Sequence, residues 1–229
     1  MRRTAELERM NTELEEFAYI ASHDLKAPLR AVANLSLVVA EDAGDRLDDE
    51  NRRLLWLMRD RVTAMDALID GLLRYARIGR EARHPCPTEW SRLLGELVAN
   101  LELPEGFRVE WEPTMPPMVT DPLELRQVLQ NLIANAAHHH DRPEQGHAWV
   151  GVTDCGDHWL LEVADDGPGI PEHMRGEIFS MFRTGGAPGH TGIGLAVVRK
   201  IILANGGRIE VDGNTPRGAV FRIEWPKVR

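Results

Sequence analysis

The chain has 229 residues, of which 43% are hydrophobic and 28% charged, and its formal net charge at pH 7 is -9. This composition indicates a globular protein with one large domain or two small ones. The negative charge argues against nucleic-acid binding, which needs clustered lysine and arginine, and no apolar run is long enough to span a bilayer. We expect no signal peptide, no disulfide framework from two cysteines, and a cytoplasmic location.

The first third of the chain predicts two long helices. Apolar residues at coiled-coil spacing predict one helix from residue 4 to about 43, and Gly44 interrupts the pattern. Asp48 or Asp49 can cap a second helix that runs to about residue 80. Its apolar stripe is too wide for a lone hairpin to bury. We therefore expect a dimer in which two α-helical hairpins form a four-helix bundle.

Prolines near residue 85 mark a boundary, because proline ends helices and stiffens linkers. We predict a hairpin domain over residues 1–83 and a second domain over residues 84–229. The second domain alternates helical and strand patterns, which predicts an α+β sandwich: a mixed or antiparallel sheet with helices on one face. The predicted helices cover 88–101, Asp121 to about His140 and the residues after Gly192; the predicted strands cover Arg108–Trp111, 148–154, 158–164, 207–212 and 219–225.

Three segments of the second domain are candidates for a nucleotide pocket. Asn131 and Asn135 lie four residues apart, so both amides project from one helix face. An amide oxygen can bind Mg²⁺, which keeps waters and nucleotide phosphates as its other ligands. Asp165 follows a strand, where its carboxylate can accept a hydrogen bond from an exocyclic amine such as that of adenine. The alternatives are asparagines that only satisfy the backbone and a plain acidic turn.

The third segment contains Gly192 and Gly194, just before an apolar helix. Glycines at a helix N-terminus expose N–H groups to a phosphate, although such a pair alone is weak evidence. The preceding residues, Arg183–His190, contain three glycines and a proline. This composition predicts a mobile loop that covers and releases a ligand.

With a histidine beside a carboxylate near the N-terminus, these segments resemble the catalytic core of a sensor histidine kinase of two-component systems, over essentially the whole chain. The ATP-binding half also resembles the fold shared by certain chaperones, gyrases and mismatch-repair ATPases. The segments that carry the resemblance are the phosphoacceptor box Ser22–Leu29, the asparagine box Asn131–Asn135, the first glycine box Asp165–Ile170, the phenylalanine box with Phe179 and Phe182, and the second glycine box Gly192–Leu195.

The resemblance implies an ATP-dependent protein-histidine kinase that autophosphorylates His23 and passes the phosphoryl group to an aspartate of a response regulator. Asp24 matches the acidic residue that assists the histidine, and Asn135 matches the Mg²⁺ ligand. ATP and Mg²⁺ are the implied cofactors. The other residues implied to contact the nucleotide are Asn131, His138, Asp165, Gly167, Gly169, Arg183, Gly192, Gly194 and Leu195.

The implied partners are a second copy of the chain and the receiver domain of a response regulator. We expect the sensor domain to lie upstream and to be absent from this chain. The input signal, the cognate regulator and the choice between cis and trans autophosphorylation cannot be read from the sequence. The alternative function is a catalytically weak dimeric scaffold that binds a response regulator.

Several residues depart from the family pattern. His138 and His139 stand where a basic residue and an aromatic are usual, and His140 follows them. We interpret this run as a solvated helix end; a metal site there is the lesser alternative. Asp166 stands where asparagine is usual. Ala27 stands where many relatives carry a polar residue that positions water, so we expect weak or absent phosphatase activity.

Overall fold

A computed structural model describes residues 25–79, 82–183 and 192–227, and the structural statements below concern these residues. The chain divides into two compact units. The described part of the first comprises residues 25–77 with Phe182, Arg183, Gly192 and Ile193; the second comprises the rest. Within the described ranges, no helix has the length and apolarity needed to cross a membrane.

The first unit contains a helical hairpin, as the sequence predicts, although residues 4–24 of the predicted first helix lie outside the described residues. Helix α1 covers residues 25–43, a short 3-10 turn covers Gly44–Arg46, and helix α2 covers Asp49–Arg77. Gly44 has a φ of 47°, a left-handed conformation that glycine adopts at low cost and that ends α1. Asp48 caps α2, because its Oδ1 accepts the N–H of Asn51 at 2.7 Å.

Few side chains of the hairpin are buried. Between residues 25 and 77 the buried residues are Ser36, Val62 and Gly71. Large apolar side chains remain exposed on both helices, and one set on each helix shares a face, since spacings of three, four and seven residues return to the same side. These sets are Leu25, Val32, Leu35 and Val39 on α1, and Leu54, Met58, Met65 and Leu72 on α2; other exposed apolar residues, such as Trp56, lie on other faces.

The second unit is built on β-sheets. The strands are β1 Cys86–Pro87, β2 Arg108–Trp111, β3 Val119–Thr120, β4 His147–Asp154, β5 His158–Asp165, β6 Arg208–Gly213 and β7 Ala219–Pro226. Five of them form a mixed sheet with the order β2-β4-β5-β7-β6, in which only the β2–β4 pair is parallel and the other neighbours are antiparallel. A separate two-stranded sheet pairs β1 with β3.

Helices cover this sheet and enclose the main core. They are α3 Trp90–Asn100, α4 Pro122–His138, α5 Glu172–Arg175 and α6 Gly194–Ala204, with a 3-10 turn at Pro143–Gln145. Helix α4 contacts β4, β5 and α6, and α6 contacts β6. Alternate residues of β5, Trp159, Leu161 and Val163, are buried, which is the period of a strand with one face on a core. The predicted α+β sandwich is therefore confirmed.

The short strand β1 was not predicted, because two residues are too few to show alternation. Cys86 lies opposite Thr120 and Pro87 opposite Val119. Proline is tolerated at such an edge position, where its missing N–H is not needed. The Thr88 N–H donates to the Met118 carbonyl at 2.9 Å and continues the contact.

Candidate functional site

The asparagine-bearing helix α4 is fixed at its start by a buried carboxylate. Asp121 Oδ1 accepts the N–H groups of Leu123 at 2.9 Å and Glu124 at 3.3 Å. Its Oδ2 accepts the His84 N–H at 2.9 Å, and Pro122 fills the first helical position. These contacts set the orientation of α4, and hence of the two asparagines further along it.

Asn131 and the first residue of α6 meet closely. The Asn131 amide donates to the Gln127 carbonyl at 2.9 Å, which leaves Oδ1 directed elsewhere. A Cβ added to Gly194 would lie 2.9 Å from that Oδ1, so a side chain there would collide with it. Glycine at this position lets an amide oxygen lie beside the N–H groups that open a helix. Leu195 is half-buried in the same turn.

Asn135 lies one turn further along α4 and is half-buried. Its side-chain amide makes no hydrogen bond within the described part of the chain. A half-buried amide normally finds a hydrogen-bond partner. The Asn135 side chain can therefore offer its amide oxygen to a ligand without breaking an existing hydrogen bond.

Asp165 ends β5 with its two carboxylate oxygens in different situations. Oδ1 accepts the Gly167 N–H at 2.9 Å and the Ala219 N–H at 3.1 Å. Oδ2 has no hydrogen-bond partner among the described residues. Burial raises the pKa of this carboxyl, and the two N–H groups only partly oppose the shift. The side chain thus holds a fixed acceptor that is available to an N–H donor.

Two glycines allow the chain to pass tightly around Asp165. Gly218 has a φ of 109°, and a Cβ on it would lie 1.8 Å from the Asp165 carbonyl oxygen. Gly169, with a φ of 76°, would place a Cβ 2.8 Å from the Gly218 oxygen. Asn214 adds a hydrogen bond of 2.8 Å to the Asp165 carbonyl. Gly218 and Asn214 are not predicted from the sequence, since only the pairing of β5 with β7 brings that loop to Asp165.

The expectation that the histidine run is solvated is wrong for His140. Its side chain is only 3% exposed, and its Nε2 lies 3.0 Å from Asp166 Oδ1. Its Nδ1 accepts the Arg142 N–H at 2.9 Å, and its ring meets the edge of Phe107. The run is solvated at His138 and His139 but not at His140, because the chain turns inward as α4 ends.

Asp166 is held by two elements at once. Its Oδ1 also accepts the His147 N–H at 2.7 Å, and its own N–H donates to the His147 carbonyl at 3.2 Å. Partial burial works to raise the pKa of Asp166, but the His147 N–H and the His140 ring outweigh it and keep the pKa below its usual value. The carboxylate is therefore ionised near neutral pH.

His138 and His139 lie exposed at the end of α4. Burial of part of the His139 ring, followed by the charge of His138, lowers the pKa of His139, and Asp165 opposes that shift. Across the described ranges, no group of three or more histidine, cysteine or acidic side chains could hold a metal ion.

The remaining predicted site residues fall in the first unit or outside the described ranges. The Gly192 carbonyl accepts the Phe182 N–H at 2.9 Å, and a Cβ on Gly192 would lie 2.8 Å from the Arg183 nitrogen. The predicted loop after Arg183 falls in residues 184–191, which the structure does not describe. His23 and Asp24 likewise lie outside the described residues.

Family models assign the sandwich, with its asparagine-bearing helix and Asp165 turn, to a family of ATPases. Residues 120–229 match the family of histidine kinase-, DNA gyrase B- and HSP90-like ATPases, and residues 13–81 match the His Kinase A (phospho-acceptor) domain. The chain therefore belongs to the sensor histidine kinases and constitutes the catalytic core of such a protein.

Comparison with known proteins gives the same family. The chain is 34% identical over 227 residues to cyanobacterial phytochrome A of Nostoc sp., covering 96% of this chain and 29% of that protein. It thus spans about three tenths of the length of that relative. The structure of full-length ShkA in complex with AMPPNP is 27% identical, with a TM-score of 0.70, covering 93% of this chain and 46% of ShkA. The histidine kinase ThkA, solved in complex with the response regulator protein TrrA, shares the fold at 23% identity and a TM-score of 0.65, covering 98% and 66%.

Proposed function

We propose that this chain uses ATP to phosphorylate His23 and then transfers the phosphoryl group to an aspartate of a response regulator. The observation that carries the proposal is the difference between the two carboxylate oxygens of Asp165. Two backbone N–H groups hold one carboxylate oxygen, and the other oxygen remains available to the exocyclic amine of adenine. An acceptor fixed in this way selects a base that carries a donor.

The remaining nucleotide contacts follow from the same geometry. Asn135 would hold Mg²⁺ through its amide oxygen, and the residues fit this role because that amide has no hydrogen bond within the described part of the chain. When bound, Mg²⁺ neutralises charge on the phosphates. The further residues that we propose to contact the nucleotide are Asn131, His138, Gly167, Gly169, Arg183, Gly192, Gly194 and Leu195.

His23 supplies the nucleophile for the phosphotransfer. A neutral imidazole nitrogen is nucleophilic near neutral pH and needs no strong base. It attacks the γ-phosphorus as the bond between that phosphorus and the ADP oxygen breaks. We propose that Asp24 orients the ring and accepts the proton on its other nitrogen.

We further propose that the chain is a homodimer with a hairpin domain over residues 1–83 and an ATP-binding domain over residues 84–229. The exposed apolar faces of α1 and α2 support the dimer, since a second copy could cover them. The response regulator is proposed because the family transfers phosphate to such partners and because ThkA was solved with one. The use of ATP favours a cytoplasmic site of action.

The test is incubation with γ-labelled ATP and Mg²⁺. The parent chain should take up acid-labile, base-stable label, and His23→Gln and Asn135→Ala should each abolish it. The matched controls are His173→Gln and Asn100→Ala, at exposed positions, and both should label like the parent. A folded parent that takes up no label would favour the scaffold function over the kinase.

A further inference from the structure

One buried side chain of the second unit has no role in the function proposed above. His140 follows the end of α4, yet its ring is almost fully enclosed. Gly146 and Gly167 leave room for it, because a Cβ on either would lie 3.1 or 3.3 Å from His140 Cδ2. A polar ring in such a position normally has specific hydrogen-bond partners.

The contacts of His140 fix which nitrogen carries the proton. The Arg142 N–H points at Nδ1 from 2.9 Å, so Nδ1 must offer its lone pair. Nε2 then carries the hydrogen and donates it to Asp166 Oδ1 at 3.0 Å. The acceptor is an ionised carboxylate, which makes this a charge-assisted hydrogen bond.

This bond joins two parts of the nucleotide pocket. His140 comes directly from α4, which carries Asn131 and Asn135, and Asp166 directly follows Asp165. Asp166 is tied in addition to β4 through the His147 backbone. Asp166, the residue that directly follows β5, is therefore hydrogen-bonded both to the start of β4 and to His140, just after α4.

We propose that His140 is a positioning residue for adenine recognition: its Nε2–H holds Asp166 so that the free oxygen of Asp165 faces the exocyclic amine of the base. The inference rests on the proposed ATP binding. Without the His140 bond, Asp166 is held only by the His147 backbone of β4, and the Asp165 acceptor beside it is less well placed. Loss of the bond should therefore weaken recognition of the base and leave phosphate contacts intact.

The chain offers variants that separate the two nitrogens. His140→Gln places an amide donor near the position of Nε2 and should keep the bond to Asp166. His140→Asn places its amide near Nδ1, keeps an acceptor for Arg142 and loses that donor. Asp166→Ala removes the acceptor while leaving the ring in place, and it decides the question if His140→Asn fails to fold. His158→Asn is the control, since His158 also lies beside a carboxylate, at 2.6 Å, but at the other end of β5.

The measurement is the affinity of the full chain for ATP and for inosine triphosphate with Mg²⁺, by competition against a fluorescent nucleotide. Inosine triphosphate lacks the adenine amine. His140→Asn and Asp166→Ala should each weaken ATP binding about tenfold and leave inosine triphosphate binding within about twofold, while His140→Gln and His158→Asn keep the parent preference.

Two results would overturn the inference. One is an unchanged preference for ATP in His140→Asn and Asp166→Ala; the other is an equal loss for both nucleotides, which indicates a purely structural role. A parent chain that binds no ATP is a different outcome, because it removes the proposed function itself and the inference with it.

Discussion

The hairpin and the sandwich bury their side chains to very different extents. Between residues 25 and 77 only Ser36, Val62 and Gly71 are buried, and apolar residues face outward along both helices. The sandwich has a core in which side chains such as Leu132 and Trp225 are almost completely enclosed. The sandwich can thus obtain its stability within one chain, whereas the hairpin leaves apolar surface exposed, which we propose that a second copy covers.

The largest expected effect tests whether the core of the sandwich is stabilised by packing within one chain. Leu132→Ala, on α4, should lower the free energy of unfolding of the sandwich by about 3 kcal/mol, because it leaves a cavity in a packed interior. Urea unfolding followed by tryptophan fluorescence reports on this unit, since of the six tryptophans only Trp56 lies in the hairpin. Leu123→Ala, on the same helix but 72% exposed, should change stability by less than about 0.5 kcal/mol. Equal losses from the two variants would contradict the comparison.

The next effect separates binding from stability at Asp165. Asp165→Asn should weaken ATP binding about a hundredfold, because the amide keeps its oxygen on the two backbone N–H groups and turns a donor toward the adenine amine. Calorimetric titration with ATP measures the loss. Asp212→Asn, at the exposed edge strand β6, is the control and should bind like the parent.

The same substitution should slightly stabilise the nucleotide-free protein. Burial raises the pKa of Asp165 in the folded chain above its unfolded value of 3.8. At a pH between the unfolded and the folded pKa, the folded chain therefore binds more protons than the unfolded chain. Stability is therefore lost as the pH rises through that window, and Asp165→Asn removes this loss. Urea unfolding at pH 7 should show a gain of about 0.5 kcal/mol or less; a clear loss would show that the charge is not destabilising.

An effect smaller than the loss of ATP binding tests whether the apolar faces of the hairpin form a dimer interface. Met65→Lys puts a charge on the exposed apolar face of α2 and should raise the dimer dissociation constant at least about tenfold, since an unpaired charge would have to be desolvated in the interface. Ala67→Lys, on the other side of the same helix, should leave the dimer intact. Sedimentation at several protein concentrations distinguishes the two. A parent chain that is monomeric at all concentrations would remove the proposed dimer.

The smallest change in a rate concerns Ala27, which is exposed on α1. The parent should dephosphorylate its regulator weakly or not at all, and Ala27→Thr should raise that rate several-fold by adding a hydroxyl that can position water. The assay follows the loss of phosphate from a receiver domain that the kinase has labelled. Rapid dephosphorylation by the parent would refute the prediction.

Periodicity and capping explain why much of the fold could be predicted. The four-residue spacing in α2 and the Asp121-Pro122 start of α4 are local signals, and both elements formed as expected. Helix α4 ends at His138 rather than near His140, and α2 ends at Arg77 rather than near residue 80, because apolar spacing alone does not locate a helix end.

The missed parts depend on contacts between distant segments. Gly218 reaches Asp165 only because β7 pairs with β5, and no local pattern reveals that pairing. His140 is adjacent to two exposed histidines, so its burial follows from the position of Asp166 and Phe107, not from its neighbours in sequence. The roles of the predicted site residues stay predictions.

The most direct test of the separate roles proposed for the two units is to locate the phosphoryl group after the reaction with ATP. The full chain would be incubated with ATP and Mg²⁺, digested at neutral pH to preserve phosphohistidine, and mapped by mass spectrometry. We predict a single phosphoryl group on His23, which is strongly diminished in Asp165→Asn when ATP is not in large excess. Phosphate on another residue, such as Ser22 or His173, or undiminished phosphorylation of Asp165→Asn, would contradict an account in which the sandwich binds ATP through Asp165 and the hairpin carries the acceptor.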